Sequence, residues 1–346
     1  MSKEDNSALQ HKMLDRTVSL FSQKLLSAGR NVFWLVVWLM GLGLILIYPL
    51  RWFSGDSLKP VRMISYITPW LLVISLPFLI IAGMSRRKWL SAILATATLA
   101  NILSFAPLFL PRHSALASAD DFSLKIMSYN MHGIPKVDGV LEVIRQEKPD
   151  ILLIQECSPA LAAPSFHGLD DLYPASYVDQ KGFGQAILSR YPLKQMGAES
   201  DTGRTLKVLI QTPVGPIAVW NTHPIPPFLV PPQKYDAQIS ALAAEISKAT
   251  GPLIVGGDFN ATDQTEAYRK IHRDLEDAYR EAGKGFGFTY PAPPYTFMDM
   301  HLQTGPLWRI DHIFHSSHFI ATSARTLTSA GGSDHFPIVV ELSMAK

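Results

Sequence analysis

Long uncharged apolar runs dominate the first third of the chain. No charged residue lies within residues 31–50, 63–85 or 89–111, and each run is long enough to cross a bilayer core of about 30 Å as a helix. A helix buried in a soluble core usually keeps a polar face, whereas residues 33–48 and 70–84 are apolar on all sides. The pattern predicts three membrane-spanning helices, with buried helices of a soluble core as the alternative.

The segment before the first run, residues 1–30, is largely polar, so that run is not expected to be a cleavable signal peptide. Apolar residues recur within the segment at helical spacing, at Leu14, Val18, Phe21 and Leu25. This spacing favours a helix lying on the membrane surface or an ordinary packing helix. In the second and third runs, Pro69, Pro77 and Pro107 each remove a helical hydrogen bond, so we expect kinks there.

Positive charge favours one orientation for these helices, because flanking Lys and Arg residues are retained on the cytoplasmic side. Eight lie in the N-terminal segment and the second loop together, against three in the first loop. They are Lys3, Lys12, Arg16, Lys24, Arg30, Arg86, Arg87 and Lys88, against Arg51, Lys59 and Arg62. The predicted organisation is a cytoplasmic segment (1–30), a transmembrane anchor (31–112) and an external or periplasmic domain (120–346) in the plasma or inner membrane.

Charge divides the chain in the same place. Residues 1–119 hold 12 Lys and Arg against 4 Asp and Glu, whereas residues 120–346 hold 19 against 25. Proteins that bind long tracts of nucleic acid normally carry a basic stripe, so the acidic C-terminal part argues against a dedicated DNA-binding protein. The charge distribution does not argue against a nuclease that contacts few phosphates. The single Cys157 cannot form an internal disulfide and fits either compartment.

After residue 120, short apolar runs alternate with turn-forming residues, which is typical of β-strands. Several of these runs are expected to be strands; they are residues 125–131, 151–155, 185–188, 206–211, 216–220, 253–255, 310–315 and 338–342. Helical spacing at residues 137–148 and 235–249 predicts helices between them, and residues 212–215 are typical of a hairpin turn. The mixture predicts an α/β (α+β) domain in which helices cover mixed sheets.

Polar residues fall where these runs end. They are Asn130, Glu156, His223, Asp258, Asn260, Asp311, Asp334 and His335. Carboxylate and amide oxygens bind a hard cation such as Mg²⁺ while leaving some of its water for a substrate phosphate. An imidazole paired with a carboxylate is held in one tautomer and made more basic. Together these groups are what phosphate-ester hydrolysis requires.

In order and spacing, these residues resemble the motifs of the endonuclease/exonuclease/phosphatase superfamily over residues 122–344. The resemblance implies a DNase I-like four-layer fold, in which helices flank a two-sheet β-sandwich with the site at one rim. The implied metal-binding residues are Glu156, Asn130 and Asp334, with Mg²⁺ as the cofactor and Mn²⁺ as its alternative. The implied catalytic residues are His335, Asp311, Asp258, His223 and Asn260.

The resemblance also implies a role for each catalytic residue. His335, oriented by Asp311, would activate the attacking water or contact the phosphate, and Asp258 would orient that water or manage a proton. His223 and Asn260 would donate to the non-bridging oxygens, where charge builds in an in-line displacement. Other family branches fit less well, because abasic-site endonucleases lack a histidine in the position of His223. The tryptophan-rich signature of inositol 5-phosphatases is also missing.

Several of these residues have a purely structural alternative. Glu156 could be a solvated strand end, Asn130 could cap a turn, and Asp258 could form an Asx turn with Asn260. Arg190 fits an ion pair as well as a substrate contact. Three further histidines, His312, His315 and His318, are expected to pack or face solvent, His132 is ambiguous, and Cys157 is expected to be a packed thiol.

The leading hypothesis is a membrane-anchored, Mg²⁺-dependent phosphoesterase whose partners are the lipid bilayer and a phosphate ester of phospholipid-headgroup or nucleic-acid type. No obligate protein partner is evident from the sequence. One alternative is an external endonuclease or exonuclease acting on DNA or RNA. The other is a catalytically inactive membrane scaffold, which the retention of every motif disfavours.

Overall fold

The computed structural model describes residues 3–110, 121–133, 138–157, 167–179, 184–197, 204–293, 295–297, 300–302 and 305–344. Residues 111–120, where the expected anchor meets the expected external domain, lie outside the described residues. The chain divides into two compact units. The first comprises residues 1–53 and 69–102, and the second comprises residues 54–68 and 103–346.

Three long helices, α1 (Lys3–Ser54), α2 (Lys59–Met84) and α3 (Lys88–Phe105), precede the first strand. Each is long and apolar enough to cross a membrane, and within each most apolar window only 22–33% of the residues are buried. In the first unit, Gly41 of α1 lies close to α3, because a Cβ on it would be 3.3 Å from side-chain atoms of Ile93 and Leu94. A small cluster of Val37, Ala82, Leu90 and Leu94 is buried there. These observations confirm three long apolar helices as candidate membrane spans.

Two details of the helices differ from expectation. Helix α1 runs without interruption from Lys3 to Ser54, so the amphipathic segment and the first apolar run belong to one helix. Pro107 does not kink the third helix: α3 ends at Phe105 and a single 3₁₀ turn, Ala106–Leu108, follows. A proline disfavours helical geometry in the residue before it, so it ends the helix here. Pro69 and Pro77 lie inside α2.

The second unit is built on two six-stranded mixed sheets. The first sheet has the order β13–β14–β1–β2–β4–β3, and the second has the order β5–β6–β7–β8–β12–β9. The strands of the first are β1 Phe122–Asn130, β2 Ile151–Gln155, β3 Ala175–Val178, β4 Ala186–Ser189, β13 Ile320–Thr326 and β14 Ile338–Met344. Those of the second are β5 Leu193–Gln195, β6 Thr205–Thr212, β7 Gly215–Thr222, β8 Leu253–Asp258, β9 Glu276–Asp277 and β12 Asp311–His315. Strands β10 (Tyr295–Phe297) and β11 (Met300–Leu302) pair separately.

Helices cover the outer faces of both sheets. They are α4 (Asp138–Glu147) on the first sheet, and α5 (Pro232–Ile246) and α6 (Glu266–His272) on the second, with a short α7 (Ala278–Ala282) packed into the core between the sheets. The layers are therefore helix, sheet, sheet and helix, which confirms the expected DNase I-like fold. Both faces of each sheet are buried, which explains why the central strands are apolar at consecutive positions.

Strand β2 illustrates this double burial. Ile151 and Leu153 lie in the core between the sheets, whereas Leu152 and Ile154 pack under α4. Successive side chains of a strand point to opposite faces, so one apolar run serves both cores. Each of the eight apolar runs coincides with a strand, more than the several expected, and the hairpin turn expected at residues 212–215 joins β6 to β7.

The second unit also contains residues 54–68, which come from the loop before α2 and from its first turns. Arg62 is buried and its Nη2 lies 2.8 Å from a carboxylate oxygen of Asp236 in α5. The backbone amide of Asp56 donates to Glu266 of α6 over 3.0 Å. The Tyr66 hydroxyl donates to the backbone carbonyl of Asn260. Residues 54–68 are therefore an integral part of the folded unit, which sequence reasoning did not anticipate.

Candidate active site

The polar residues that follow the strands converge on one rim of the sandwich because of strand direction. Strands β1 and β2 are parallel neighbours, as are β7 and β8, so each pair ends at the same edge of its sheet. Strands β12 and β14 run antiparallel to them and begin where the others end, with Asp311 opposite Asp258 in the ladder. All eight residues expected at the site lie on this rim.

The backbone at the rim adopts unusual conformations. Glu156, His132 and Asn260 have φ angles of +55°, +51° and +50°. Such angles are uncommon outside glycine and cluster at functional sites. Gly257 precedes Asp258 with a φ of +142°, and a Cβ there would lie 1.9 Å from the Thr222 carbonyl oxygen. A glycine is therefore required for β7 and β8 to approach closely just before the site.

Asn130 joins two carboxylates at the centre of the site. Its amide nitrogen donates to Glu156 Oε1 and to Asp258 Oδ2, both over 3.0 Å. Its amide oxygen accepts from the backbone N–H of His132 over 2.9 Å. The side chain thus orients both carboxylates through its N–H groups. His223 lies close by, with Nε2 3.4 Å from Glu156 Oε1 and 3.7 Å from Asp258 Oδ2.

His335 and Asp311 form the expected dyad. His335 Nδ1 lies 2.9 Å from Asp311 Oδ2, which directs the other ring nitrogen, Nε2, towards Asp258 Oδ2 at 3.9 Å. The Tyr290 ring packs against the imidazole with a centroid separation of 4.7 Å. The backbone amide of His335 donates to Ser333 Oγ, and that hydroxyl donates to the Asn130 carbonyl. Ser333 therefore links the loop that carries His335 to the end of β1.

Electrostatics at the site reflect an excess of buried negative charge. Burial, reinforced by the neighbouring charge of Asp311, raises the pKa of Asp258 to about 8. Burial opposes the charging of His335, but the charge and hydrogen bond of Asp311 outweigh it and raise the His335 pKa to about 10. Burial lowers the pKa of His223 to about 4, so this ring is neutral at physiological pH. A divalent cation would stabilise the charged carboxylates and lower the pKa of Asp258.

The donor set fits a cation. Ligand atoms of Glu156, His223 and Asp258 lie within 4.8 Å of one another, as do those of Asp258, Asp311 and His335. Three buried side chains also carry atoms without a hydrogen-bond partner among the described residues, namely both ring nitrogens of His223, Asp311 Oδ1 and Asp334 Oδ1. Buried polar atoms are normally satisfied, so these unsatisfied atoms leave room for a further ligand, and the carboxylate and imidazole groups around them could hold a metal ion.

Asp334 and Asn260 lie at the edges of this cluster. Asp334 Oδ1 is 4.0 Å from His335 Nε2, and its Oδ2 is 3.2 Å from His132 Nδ1. Asn260 closes an Asx turn, because its backbone N–H donates to Asp258 Oδ1 over 2.8 Å. Its side-chain amide donates to the Pro224 carbonyl over 3.1 Å. The structural alternative, an Asx turn between Asp258 and Asn260, is therefore present, and Asn260 also lies near the site.

The remaining candidates have structural roles. Arg190 pairs with Asp150 at 3.1 Å. His312 alternates away from Asp311 as expected; its Nδ1 accepts from Arg309 over 3.3 Å and its Nε2 donates to the Ala261 carbonyl over 2.7 Å. His315 contacts Glu281. Burial raises the pKa of Cys157 to about 12, as expected of a packed thiol.

Sequence reasoning missed the residues that hold the site in place. Asn221 is fully buried between the sheets, where it accepts from Gln155 Nε2 over 2.7 Å and donates to the Ile154 carbonyl over 2.7 Å. These bonds tie the strand before Glu156 to the strand before His223. A polar side chain two residues before a candidate histidine, inside an apolar strand, was the available signal.

Comparison with known proteins identifies the family. A sequence model described as the Endonuclease/Exonuclease/phosphatase family matches residues 127–335. A solved structure of TDP2 from D. rerio, complexed with single-strand DNA product, has 17% identity, covers 64% of this chain and 99% of that chain, and gives a TM-score of 0.53. An endonuclease/exonuclease/phosphatase from Bacteroides vulgatus has 19% identity, covers 65% and 100%, and gives a TM-score of 0.50. No curated protein matches.

The matched region contains every residue of the cluster, from Asn130 to His335. At these identities the solved structures show the fold, whereas the family match spans more than half of the chain. Taken with the carboxylate and histidine cluster at the rim, it leads to one conclusion: the chain belongs to the endonuclease/exonuclease/phosphatase family and is a metal-dependent hydrolase of phosphate ester bonds.

Proposed function

We propose that this protein is a membrane-anchored, Mg²⁺-dependent phosphoesterase that hydrolyses a phosphodiester or phosphomonoester by in-line attack of water. The observation that carries the proposal is the pair of adjoining groups, Glu156 with His223 and Asp258, and Asp258 with Asp311 and His335, which share Asp258. Oxygen-rich donor sets suit Mg²⁺, with Mn²⁺ as its alternative. A bound divalent ion would offset charge on the phosphoryl oxygens.

Each residue of the candidate site has its own role in the proposed reaction. Glu156 and Asp334 are the proposed metal-binding carboxylates, and Asn130 orients Glu156 and Asp258 through its amide N–H groups. Asp311 fixes the tautomer of His335, whose Nε2 faces the reaction centre and exchanges a proton with the attacking water or the phosphate. Asp258 orients the water, and the neutral His223 and Asn260 supply hydrogen bonds to phosphate oxygens.

Two observations support the membrane part of the proposal. The first is the three apolar helices. The second is the packing of residues 54–68 within the catalytic unit, through Arg62 to Asp236 and Tyr66 to Asn260. Two candidate spans separate these residues from the domain, so both parts lie on one side of the membrane if both helices cross it. The distribution of Lys and Arg favours the external side, and a reporter fused after Lys346 tests this.

The decisive experiment measures hydrolysis of bis(4-nitrophenyl) phosphate by the full chain purified in a non-ionic detergent. We expect activity with Mg²⁺, none with EDTA, and losses of at least about a hundredfold in Glu156→Gln and His335→Ala. The matched controls are Glu142→Gln and His318→Ala, because both side chains are exposed and lie away from the rim. Equal activity in all five proteins would refute the proposal.

A second assay separates the substrate classes. The same protein is given phospholipid vesicles, plasmid DNA or short single strands, each with Mg²⁺ and with EDTA. Anchoring raises the local concentration of membrane substrates, and the C-terminal part carries more acids than bases. We therefore expect cleavage of a phospholipid headgroup ester. Faster turnover of DNA would assign the protein to the external nucleases instead.

A further inference from the structure

A small cavity of about 90 Å³ lies outside the candidate active site, between the first turns of α2 and the segment that follows His223. It is lined by Lys59, Arg62 and Met63 of α2 and by Phe228, Val230 and Pro232. All of these residues belong to the second unit. The volume is sufficient for a small polar group, since a single water needs about 10–15 Å³ of such space.

One side of the cavity is cationic. Arg62 is only 3% exposed, and its Nη2 and Nε are bound by Asp236 and by the Asp56 carbonyl. Its Nη1 is also buried but donates to no acceptor among the described residues. A buried guanidinium nitrogen without an acceptor is costly. An anionic oxygen in the cavity would satisfy it.

Two further groups add positive potential. The exposed Lys59 lines the cavity one helical turn before Arg62. Helix α5 starts at Pro232 in the cavity wall, and its N-cap residue, Pro231, provides no side-chain hydrogen bond. The positive end of a helix dipole favours an anion. No acidic residue is among those that line the cavity, which disfavours a quaternary ammonium group.

The other side of the cavity is apolar and exposed. Phe228 and Leu229 are 58% and 77% exposed, and after residue 110 they are the only large apolar side chains that the described part of the chain exposes to this degree. The loop that carries them is held in place, because Ile225 N–H donates to Gln238 and Phe228 packs edge-to-face on Tyr66. Exposed apolar groups beside a cationic pocket match a ligand with both phosphate and hydrocarbon.

The position of the cavity along α2 favours a lipid. The helix has 26 residues and the composition of a membrane span, whereas a bilayer core needs about 20. Its first turns, with Lys59 and Arg62, therefore extend to headgroup level, where Lys and Arg side chains commonly contact lipid phosphates. Phe228 and Leu229 would reach the acyl chains from the same level.

We propose that this cavity binds the phosphate of an anionic phospholipid, with Phe228 and Leu229 inserted among the acyl chains. The inference rests on the membrane anchoring in the proposed function. The bound lipid would also lie beside the candidate active site, because the loop starts next to His223 and its Pro224 carbonyl accepts from the Asn260 side chain. The lipid site is separate from the catalytic cluster and needs no metal ion.

The test is binding of short-chain lipids to the full chain in a neutral detergent, measured by native mass spectrometry in EDTA. Dihexanoyl phosphatidylglycerol is compared with dihexanoyl phosphatidylcholine and with inorganic phosphate. We expect selective binding of phosphatidylglycerol, weakened at least about tenfold in Lys59→Glu and also weakened in Phe228→Ser. Lys248→Glu is the matched control, since this exposed lysine lies beyond the opposite end of α5.

Outcomes against the inference are distinct from failure of the proposed function. Equal binding by wild type, Lys59→Glu and Lys248→Glu overturns the lipid site. Competition by inorganic phosphate as effective as the lipid overturns the assignment to phospholipid. The variant Glu156→Gln should lose hydrolysis and keep lipid binding. If wild-type protein binds the lipid as described but hydrolyses nothing, the phosphoesterase proposal fails and the lipid site stands.

Discussion

The catalytic unit contains two buried clusters of charged side chains, and their negative charge is balanced in different ways. In the Arg309 cluster, the guanidinium lies 2.8 Å from Asp277 and 3.5 Å from Asp263, and Tyr268 donates to Asp277 over 2.8 Å. In the candidate site, the carboxylates of Asp258 and Asp311 share one imidazolium, that of His335. The first cluster therefore contains its own strong cation, whereas the second leaves negative charge to be balanced by a ligand.

The pKa values of one aspartate from each cluster differ in the same sense. Burial works against ionisation of Asp277, yet the charge of Arg309 holds its pKa well below the usual range. Asp258 is buried to the same degree, and burial together with the neighbouring charge of Asp311 raises its pKa to about 8. A buried carboxylate that stays unpaired costs stability, and proteins retain such groups where function needs them. The comparison distinguishes a structural cluster from a reactive one within a single sandwich.

The largest expected effect is on folding, from Asp277→Asn. This change keeps a capping side chain at the start of α7 but removes the main partner of a buried arginine, which costs about 3–5 kcal/mol. We expect a fall in the unfolding midpoint of about 10 °C for a domain of this size, and near-normal activity at temperatures where the variant is folded. Thermal unfolding in detergent provides the measurement.

The control for that prediction is Asp274→Asn, which affects only a surface pair with Arg273. Exposed pairs contribute little, so no change in the midpoint is expected. If Asp277→Asn unfolds at the wild-type temperature, the Arg309 cluster is not a structural ion network and the contrast between the two clusters is lost.

In the candidate site, Asp258→Asn is expected to lower activity much more than stability. The Asp258 side chain accepts from Asn130 at Oδ2 and from the backbone N–H of Asn260 at Oδ1. An amide of the same shape removes the titratable group and keeps one of these two acceptors. We expect activity to fall by about a hundredfold, which is about 2.7 kcal/mol of barrier, while the unfolding midpoint without Mg²⁺ falls by much less than in Asp277→Asn. Loss of stability with retained activity would reverse the roles assigned to the two clusters.

The raised pKa values also predict how stability depends on pH in EDTA. Because the pKa of Asp258 rises from 3.8 to about 8 on folding, the folded protein retains a proton that the unfolded chain releases. The stabilising contribution is complete below pH 4 and is lost as the pH rises to about 8. His335, raised from 6.5 to about 10, contributes stability that is complete below pH 6.5 and is lost towards pH 10.

The free energy of unfolding should therefore decrease as the pH rises from about 4 to 10. In Asp258→Asn the decrease between pH 4 and 8 should be smaller, and the later decrease due to His335 should remain. Denaturant unfolding at a series of pH values measures both. An identical slope in the wild type and in Asp258→Asn would show that Asp258 is not the group that titrates.

That these polar residues lie near one another could be predicted from the sequence, because each lies close to one end of an apolar strand and parallel neighbours end at the same edge of a sheet. Glu156 after β2 and Asp258 at the end of β8 are examples. The short strands β3 and β5 and the polar strand β13 lack such a signal and were not predicted. The role of residues 54–68 could not be predicted either, since the contact between Arg62 and Asp236 joins residues 174 positions apart. No local pattern encodes a contact over such a separation.

The smallest expected effect tests whether residues 54–68 influence the candidate site without affecting the Arg309 cluster. Asn260 has a φ of +50°, and its carbonyl accepts from the Tyr66 hydroxyl. Tyr66→Phe removes this one hydrogen bond, worth about 1 kcal/mol, and should lower kcat about fivefold. The matched control is Tyr173→Phe, whose buried hydroxyl donates to the Pro149 carbonyl far from the rim. The unfolding midpoint of both variants should fall by a few degrees, but only Tyr66→Phe should have a lower kcat. Equal kcat values in the two variants would mean that the loop before α2 supports the fold and does not position the catalytic rim.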